Sequence, residues 1–342
     1  MAGLALWAAN NGKLTVGASA RNRLAAIKLA ATAHNTKVAY AAAATVTALR
    51  AHGWDAALFK GIATGLRWYP ESGTRPAADA DFLLDTVSSQ HIDEILAVLA
   101  PGHVLGGRAQ SLVDQGIIQS VDVLVEDIWI DLHVDPIKVG IRLPGIEKLW
   151  GRCEPLVFNS TEISALDAEA SLLQAAIHLQ KDRFSRLQGF VDVVRIAEVT
   201  DLDWVWIQGF AEEIGLSVHL NESLRVVSET VGIELQVATG KGSRVWRAIW
   251  ADRTHLKGSV GMTRRVRTHY WIPFTISGRR CDAFRWWARI IFPPSELIDY
   301  MHSDSSGPYL WRILQYRFRL ARERHRRNRD QRRQTGSGSA GA

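Results

Sequence analysis

The sequence predicts an α+β fold, with a small mixed β-sheet flanked by helices and a mostly helical C-terminal half. Three observations lead to this class. Residues 19–52 are rich in alanine, lack glycine and show helical apolar spacing. Short apolar or β-branched segments follow between residues 55 and 134. From about residue 160 onward the apolar spacing is again mostly helical. Strands and helices therefore do not alternate as they would in a doubly wound fold.

The N-terminal stretch is expected to form two helices within residues 19–52. The second runs from Thr36 to about His52, and Gly53 is its expected C-cap.

The central stretch is expected to supply the sheet. The predicted elements, in chain order, are a strand at 55–60, a helix at 62–68, a strand at 79–84, a helix at 88–99, and a hairpin of strands at 120–126 and 128–134. Turn-forming residues at 69–76 predict a loop, and Ser88 or Ser89 is the expected helix cap. Glu126-Asp127 is the expected hairpin turn.

The second half is expected to be helical. Ser164 or Asp167 would cap one helix, and others are predicted at 186–199 and 217–230. The resulting division has four parts: an N-terminal helical segment (1–35), a core containing the sheet (36–158), a helical C-terminal region (159–320) and a basic, disordered tail (321–342).

The charge distribution and the cysteine content exclude several classes of protein. The net charge is +6, but ten arginines and two acids between Trp311 and Arg333 contribute +8, so 6 − 8 leaves about −2 elsewhere. The main body is therefore not a polycation. Cys153 and Cys281 lie in no Cys/His cluster, which argues against a zinc site and fits a cytoplasmic location. Neither a basic signal-peptide start nor an apolar run of ~20 residues is present.

Three aspartates suggest a metal site. Asp79 and Asp81 are two residues apart on one predicted strand, so they point to the same face and could share divalent metals. Asp131 lies in mid-strand between apolar residues, where an unpaired carboxylate is costly. Its partner would be a metal shared with the other two aspartates or, alternatively, a basic side chain.

Other residues near these aspartates have a pattern that suits phosphate binding. Lys60-Gly61 joins a strand to a helix, and a helix N-terminus favours phosphate. Arg75, in the loop before Asp79, could steer a triphosphate or brace the carboxylates. His133 shares a strand face with Asp131 and is either a positioning or a packing residue. His178, on an apolar helix, is expected to be a core histidine.

In this order, the segments resemble a bacterial family of uncharacterised nucleotidyltransferases, within the DNA polymerase β-type superfamily. Members have a Lys-Gly strand end, a Tyr-Pro loop, an Arg…Asp-x-Asp strand and an Asp/Glu-Leu-His strand. The matching segments here are Leu58–Pro70, Arg75–Leu84 and Ile130–His133, with weaker matches at Ala176–Leu179, Arg186-Leu187 with Asp192, and Ile291–Ser295. Ala78 and Ala80 stand where members often have Ser and Ile, and neither change removes a metal ligand.

The resemblance implies specific roles. Asp79 and Asp81 would bind two Mg²⁺ (or Mn²⁺) ions, and Asp131 would hold the catalytic one. The metals would neutralise the triphosphate of an NTP, with ATP the expected co-substrate. The phosphate and nucleotide contacts would come from Lys60, Gly61, Arg75 and His133. The acceptor would be a small molecule, peptide, protein or RNA.

The C-terminal region supports an alternative. Between Arg244 and Arg289 there are ten Arg and one Lys against two acids, interleaved with Trp, Tyr and Phe. Such a segment can bind nucleic acid by phosphate contact and base stacking, or lie at an anionic membrane surface. It can also form a helical core. The alternative functions are a non-catalytic RNA- or peptide-binding module, or kinase-like phosphotransfer at the same aspartates.

Overall fold

The computed structural model of the 342-residue chain describes residues 1–101, 109–182, 184–199, 201–237, 272–276, 279–301, 307–315 and 318. The helices are α1 (Ala2–Asn10), α2 (Ala18–Arg50), α3 (Gly61–Trp68), α4 (Ile92–Leu99), α5 (Ala109–Asp114), α6 (Ala168–Lys181), α7 (Leu187–Val199), α8 (Trp204–Glu213), α9 (Ser217–Val231), α10 (Ile272–Thr275), α11 (Arg280–Ile291) and α12 (Ser295–Met301). Within these residues, 3₁₀ helices span Ser88–Gln90 and Ile146–Arg152.

One mixed sheet of six strands lies at the centre of the described residues. Its strands are β1 (Ala56–Phe59), β2 (Ala80–Leu84), β3 (Ser120–Val125), β4 (Ile128–His133), β5 (Cys153–Phe158) and β6 (Thr161–Leu166). Their order across the sheet is β3-β4-β2-β1-β6-β5. Strands β2 and β4 are parallel, as are β1 and β6, and the other neighbouring pairs are antiparallel. The predicted α+β class with a mixed sheet is confirmed.

A separate apolar core covers each face of this sheet. Alternate strand residues such as Leu58 and Phe82 point to one face and pack with residues of α2 and α4. Residues of the opposite parity, such as Phe59 and Leu83, pack with residues of α6 to α9. Asp81 shares the parity of Leu83, so its side chain lies on the face that the C-terminal helices cover.

The N-terminal stretch differs from the prediction, because α2 is one continuous helix of 33 residues rather than two. Nothing at the expected break stops it. Asn35 does not cap a helix: its side chain donates to the Arg75 carbonyl at 2.8 Å and accepts from the Ala77 amide at 2.9 Å. A polar residue bound to the 75–77 loop leaves the helical backbone bonds intact.

The serine cap predicted for the helix after β2 is also wrong. Helix α4 begins at Ile92 with His91 as its N-cap residue. The hydroxyl of Ser88 instead accepts the backbone N–H of Asp55 at 2.9 Å, so it ties the start of β1 to the 3₁₀ segment. The cap of α6 is Asp167, one of the two predicted candidates, and it accepts from the Ala170 amide.

The β5–β6 hairpin was not predicted from the sequence. Its turn is Asn159-Ser160, and both residues have positive φ (46° and 65°), which is the backbone of a two-residue type I′ turn. Because β6 pairs with β1, the sheet extends past the predicted core boundary at residue 158. The four-part division of the chain stays a prediction.

The C-terminal helices contact the loop that follows β4. Gly140 has a φ of 95°, and a Cβ atom there would lie 2.5 Å from the Trp286 ring of α11. Arg279 donates to the carbonyl of Arg142 at 2.9 Å. Most of the Arg/Trp-rich stretch from residue 244 and all of the tail (321–342) fall outside the described residues. In the described part, no helix has the length and apolar character needed to cross a membrane.

Candidate active site

The turn after β1 places Lys60 and Gly61 at the start of α3. Lys60 has a φ of 53° and a ψ of −150°, a conformation that non-glycine residues rarely adopt and that is found mainly at functional sites. The amide of Thr64 donates to the Lys60 carbonyl at 2.8 Å. The Lys60 ammonium lies 3.1 Å from an oxygen of Asp81, across the β1–β2 pair.

Asp81 and Asp131 are register neighbours in the parallel β2–β4 pair. Their side chains leave the same face of the sheet, as the strand periodicity predicts. His133, two residues along β4, is fully buried, and its Nε2 lies 2.9 Å from Asp81 Oδ1 and 2.8 Å from Asp131 Oδ2. The structure thus brings three of the predicted site residues into direct contact.

Asp79 precedes β2 rather than belonging to it, and it is half-buried. Burial and the nearby carboxylates of Asp81 and Asp131 raise its pKa. No hydrogen bond or ion pair to its carboxylate is found within the described ranges. Asp79 therefore lies in the electrostatic field of the other two aspartates without contacting them.

Asp81 and Asp131, which both contact His133, have lowered pKa values, whereas the pKa of Asp79 is raised. Burial would raise the pKa of Asp81, but the hydrogen bond from His133 and the charge of Lys60 lower it to about 2. The pKa of Asp131 is also lowered, because His133 and Lys138 outweigh the effect of burial. Both groups are therefore carboxylates at neutral pH.

Two groups around Asp131 were missed in the sequence. Lys138, in the loop after β4, lies 3.2 Å from Asp131 Oδ2, and no local pattern marked it. Asp122 is the register neighbour of Asp131 in the β3–β4 hairpin. Desolvation and the charge of Asp131 raise the pKa of Asp122 to about 6. The two-residue turn predicted at Glu126-Asp127 implies this register, so Asp122 could have been placed opposite Asp131 from the sequence.

Helix α6 brings further basic groups to the site. Lys181 donates to the Ile137 carbonyl at 3.3 Å, and burial followed by the charges of Lys60 and Lys138 lowers its pKa to about 8. His178 is half-buried rather than a core residue, and burial and the charge of Lys60 lower its pKa well below the usual value. Three lysines thus repel one another beside the aspartates, an arrangement that an anionic ligand would relieve.

Arg75 is held away from the carboxylate cluster by a bidentate ion pair. Its Nε and Nη2 donate to the two oxygens of Asp192 at 2.8 and 2.7 Å, and its Nη1 donates to the Gly61 carbonyl at 2.7 Å. Both side chains are about 10% exposed. Arg75 thus links Asp192 to Gly61 at the start of α3, and its predicted phosphate contact stays a prediction.

The Asp192 side chain is fully engaged by further donors. The Tyr69 hydroxyl donates to it at 2.6 Å, and Gln188 donates both to it and to the Tyr69 oxygen. Burial and the Asp192 carboxylate raise the pKa of Tyr69. At the other end of α3, Arg195 of α7 donates to the Trp68 carbonyl. Helix α7 thus fixes both ends of α3.

The contacting residues are suitable ligands for a metal ion. Asp81, Asp131 and His133 each offer one ligand atom, and these atoms lie within 4.8 Å of one another. Asp131 Oδ1 is buried and has no hydrogen-bond partner among the described residues. Two carboxylates and one imidazole form a donor set that suits a divalent cation.

Comparisons with known proteins give the family of the chain. The family described as "Uncharacterised nucleotidyltransferase" matches residues 5–232. An antigenic nucleotidyltransferase-like protein from Paracoccidioides brasiliensis has a crystal structure that aligns with 57% of this chain and 87% of its own, at 13% identity and a TM-score of 0.35. No curated protein sequence matches the chain. Since the family match covers two thirds of the sequence, the chain belongs to this family of uncharacterised nucleotidyltransferases.

Proposed function

We propose that the protein is a metal-dependent nucleotidyltransferase that transfers a nucleoside monophosphate from an NTP to a hydroxyl or phosphate acceptor and releases pyrophosphate. The observation that carries this proposal is the adjacency of Asp81 and Asp131 on β2 and β4, next to Lys60 at the start of α3. ATP is the first NTP to test.

Asp81, Asp131 and Asp79 would hold the metal ions in this proposal. Bound Mg²⁺ or Mn²⁺ would neutralise the triphosphate charge and stabilise the leaving pyrophosphate. Asp131 would also help to activate the acceptor. An acceptor oxygen attacks the α-phosphorus, the bond from that phosphorus to the β-phosphate oxygen breaks, and pyrophosphate leaves with the bond electrons. The proton of an acceptor hydroxyl passes to a carboxylate or to water.

The phosphates would lie at the basic side of the cluster. The N-terminus of α3 offers backbone N–H groups, and Lys60 is a point charge that can move from Asp81 to a phosphate. The charges of Lys60 and Lys138 contribute to the lowered pKa of Lys181, so the three lysines lie close enough together to bind one polyanion. Arg75, oriented by Asp192, holds Gly61 in place by donating to its carbonyl.

The test is label transfer from ATP with cell extract as the acceptor source. Label from [α-³²P]ATP should appear in a product in the presence of Mg²⁺ or Mn²⁺, while label from [γ-³²P]ATP should appear in pyrophosphate. Transfer of the γ label to a product would instead show the kinase-like alternative.

Matched variants complete this test. Asp79→Ala and Asp81→Ala should abolish transfer, whereas Asp127→Asn, in the exposed β3–β4 turn, should retain it. Equal activity in wild type and in the first two variants would refute the proposal. Salt-sensitive RNA binding without binding of ATP and metal would favour the non-catalytic binding module.

A further inference from the structure

We propose that His133 is a nitrogen ligand of the metal at Asp81 and Asp131, so that this position prefers a divalent transition-metal ion to Mg²⁺. The inference rests on the proposed function in so far as it concerns the same site. It goes beyond that function because it assigns a third ligand and a metal class.

The distances around His133 suit a shared ion. Its Nε2 lies 2.8 and 2.9 Å from one oxygen of each aspartate. Two neighbouring ligands of a six-coordinate ion, each about 2.1 Å from the metal, are ~3 Å apart. The nitrogen therefore already occupies a ligand position relative to both oxygens, and an ion held by both aspartates would meet it.

The ring of His133 has little freedom to leave this position. It is 0% exposed, and its ring packs edge-on against Phe59 at a centroid distance of 4.8 Å. Its backbone is in β4, paired on one side to β2 and on the other to β3. A metal ion bound to Asp81 Oδ1 and Asp131 Oδ2 would therefore lie next to this nitrogen.

An imidazole ligand separates metals by chemical class. Mg²⁺ binds carboxylate, phosphate and water oxygens in strict octahedral geometry and dehydrates reluctantly. Transition ions such as Mn²⁺, Co²⁺ and Zn²⁺ accept carboxylates together with imidazole nitrogen. A site of two aspartates and one histidine should therefore bind the transition ion more tightly. The half-buried Asp79, which contributes only oxygen, remains suited to Mg²⁺.

Mn²⁺ is the probe for this assignment because its electron spin reports directly bonded nitrogen. In pulsed EPR of the full chain with one equivalent of Mn²⁺, we expect ¹⁴N modulation typical of a bound imidazole. Selective ¹⁵N-histidine labelling should change that modulation in the unaltered protein, so this measurement does not depend on whether a variant folds.

Variants then identify the histidine. In His133→Gln the nitrogen signal should disappear, and the Mn²⁺ dissociation constant should rise about tenfold or more, while that for Mg²⁺ changes by less than about threefold. His178→Gln should keep the signal, since His178 lies outside the three-residue cluster. Circular dichroism checks that each variant is folded.

The outcomes separate this inference from the proposed function. If Mn²⁺ binds the wild type without nitrogen coupling, or not at all at millimolar concentration, or if His133→Gln keeps the coupling, His133 is not a ligand and the inference is overturned. Label transfer that persists in that case leaves the proposed function standing. Nitrogen coupling in a protein that transfers no label would overturn the proposed function alone.

Discussion

Two charged clusters lie near the start of helix α3, and they are built differently. Around Asp192, every strong donor finds an acceptor: Arg75, Tyr69 and Gln188 all bind the same carboxylate, and Arg75 also binds the Gly61 carbonyl. Around Asp131, ion pairs to Lys60 and Lys138 are also made, but further charged groups lie close by without an opposite charge of their own among the described residues. Burial and neighbouring like charges raise the pKa of the Asp79 and Asp122 carboxylates and lower the pKa of the Lys181 ammonium.

This difference distinguishes a structural network from a binding site. A buried ion pair whose hydrogen bonds are all made fixes geometry and offers nothing to a ligand. A cluster in which carboxylates lie close to carboxylates and lysines lie close to lysines is stabilised when a cation and a polyanion bind. Substitutions in the two clusters and a change of pH test this contrast.

Asp131→Asn should lower the rate of label transfer by at least about 10³-fold, because it removes a metal ligand where charge develops in the transition state. The free energy of unfolding should also fall, by about 1–3 kcal/mol, because the buried His133 and Lys138 lose the charge of their partner. Transfer assays and urea unfolding measure the two quantities. A transfer rate within tenfold of wild type would show that the cluster around Asp131 is not the binding site.

Asp192→Asn should lower the free energy of unfolding by about 3–5 kcal/mol, because it leaves the buried Arg75 guanidinium without its counter-charge. Glu198→Gln on the same helix is the control. Its carboxylate is half-exposed and lies 3.6 Å from Arg195, so the loss should stay below about 0.5 kcal/mol. Similar urea midpoints for the two variants would show that the network around Asp192 is not structural.

The effect of pH on the buried His219, which lies outside both charged clusters, is the next test. It is fully buried between α6 and α9, its Nδ1 lies 2.8 Å from the Gln180 side-chain oxygen, and burial lowers its pKa to about 3. An unfolded histidine takes up a proton below pH ~6.5, whereas this one stays neutral until about pH 3. Its contribution to stability is therefore complete above pH ~6.5 and is lost as the pH falls towards 3.

The expected loss from His219 between pH 6.5 and 5 is about 1.5 kcal/mol. His219→Gln should be less stable than wild type at pH 7, because it loses packing. Between pH 6.5 and 5, however, its free energy of unfolding should fall by about 1.5 kcal/mol less than that of wild type. Equal slopes for wild type and variant in urea unfolding at several pH values would show that His219 takes up its proton in the folded state.

Lys138→Met should tighten Mn²⁺ binding to the nucleotide-free protein about fivefold, since it removes a positive charge 3.2 Å from Asp131, worth ~1 kcal/mol with solvent screening. The same change should weaken ATP binding if Lys138 contacts phosphate. Lys148→Met, on the 3₁₀ segment and paired with Glu213, should change neither value. Calorimetric titration of both variants measures these effects, and weaker Mn²⁺ binding in Lys138→Met would refute the charge argument.

Much of the sheet could be predicted from local patterns. The alternation in 128–134 correctly placed Trp129, Asp131 and His133 on one face of β4. The β3–β4 hairpin is confirmed with the expected two-residue turn. The β5–β6 hairpin was missed because one glutamate and one serine interrupt β6, although Asn159-Ser160 offered a turn signal.

The partners of single charged residues could not be predicted in the same way. Asp192 lies 117 residues beyond Arg75, and nothing in either neighbourhood specifies that they meet. The weak match of Asp192 to a family segment marked the residue without giving its partner. Lys138 is in an irregular loop with a φ of 53°, and its approach to Asp131 depends on the packing of that loop.

Local sequence patterns predicted most of the strands and helices, and which face of β4 carries the polar side chains. These properties follow from periodicity between residues a few positions apart. The position of β2 beside β4, which brings Asp81 next to Asp131, and the ion pair of Arg75 with Asp192 are seen in the tertiary structure alone. Strand order and long-range ion pairs depend on how whole elements bury their apolar faces, and no local pattern contains that information.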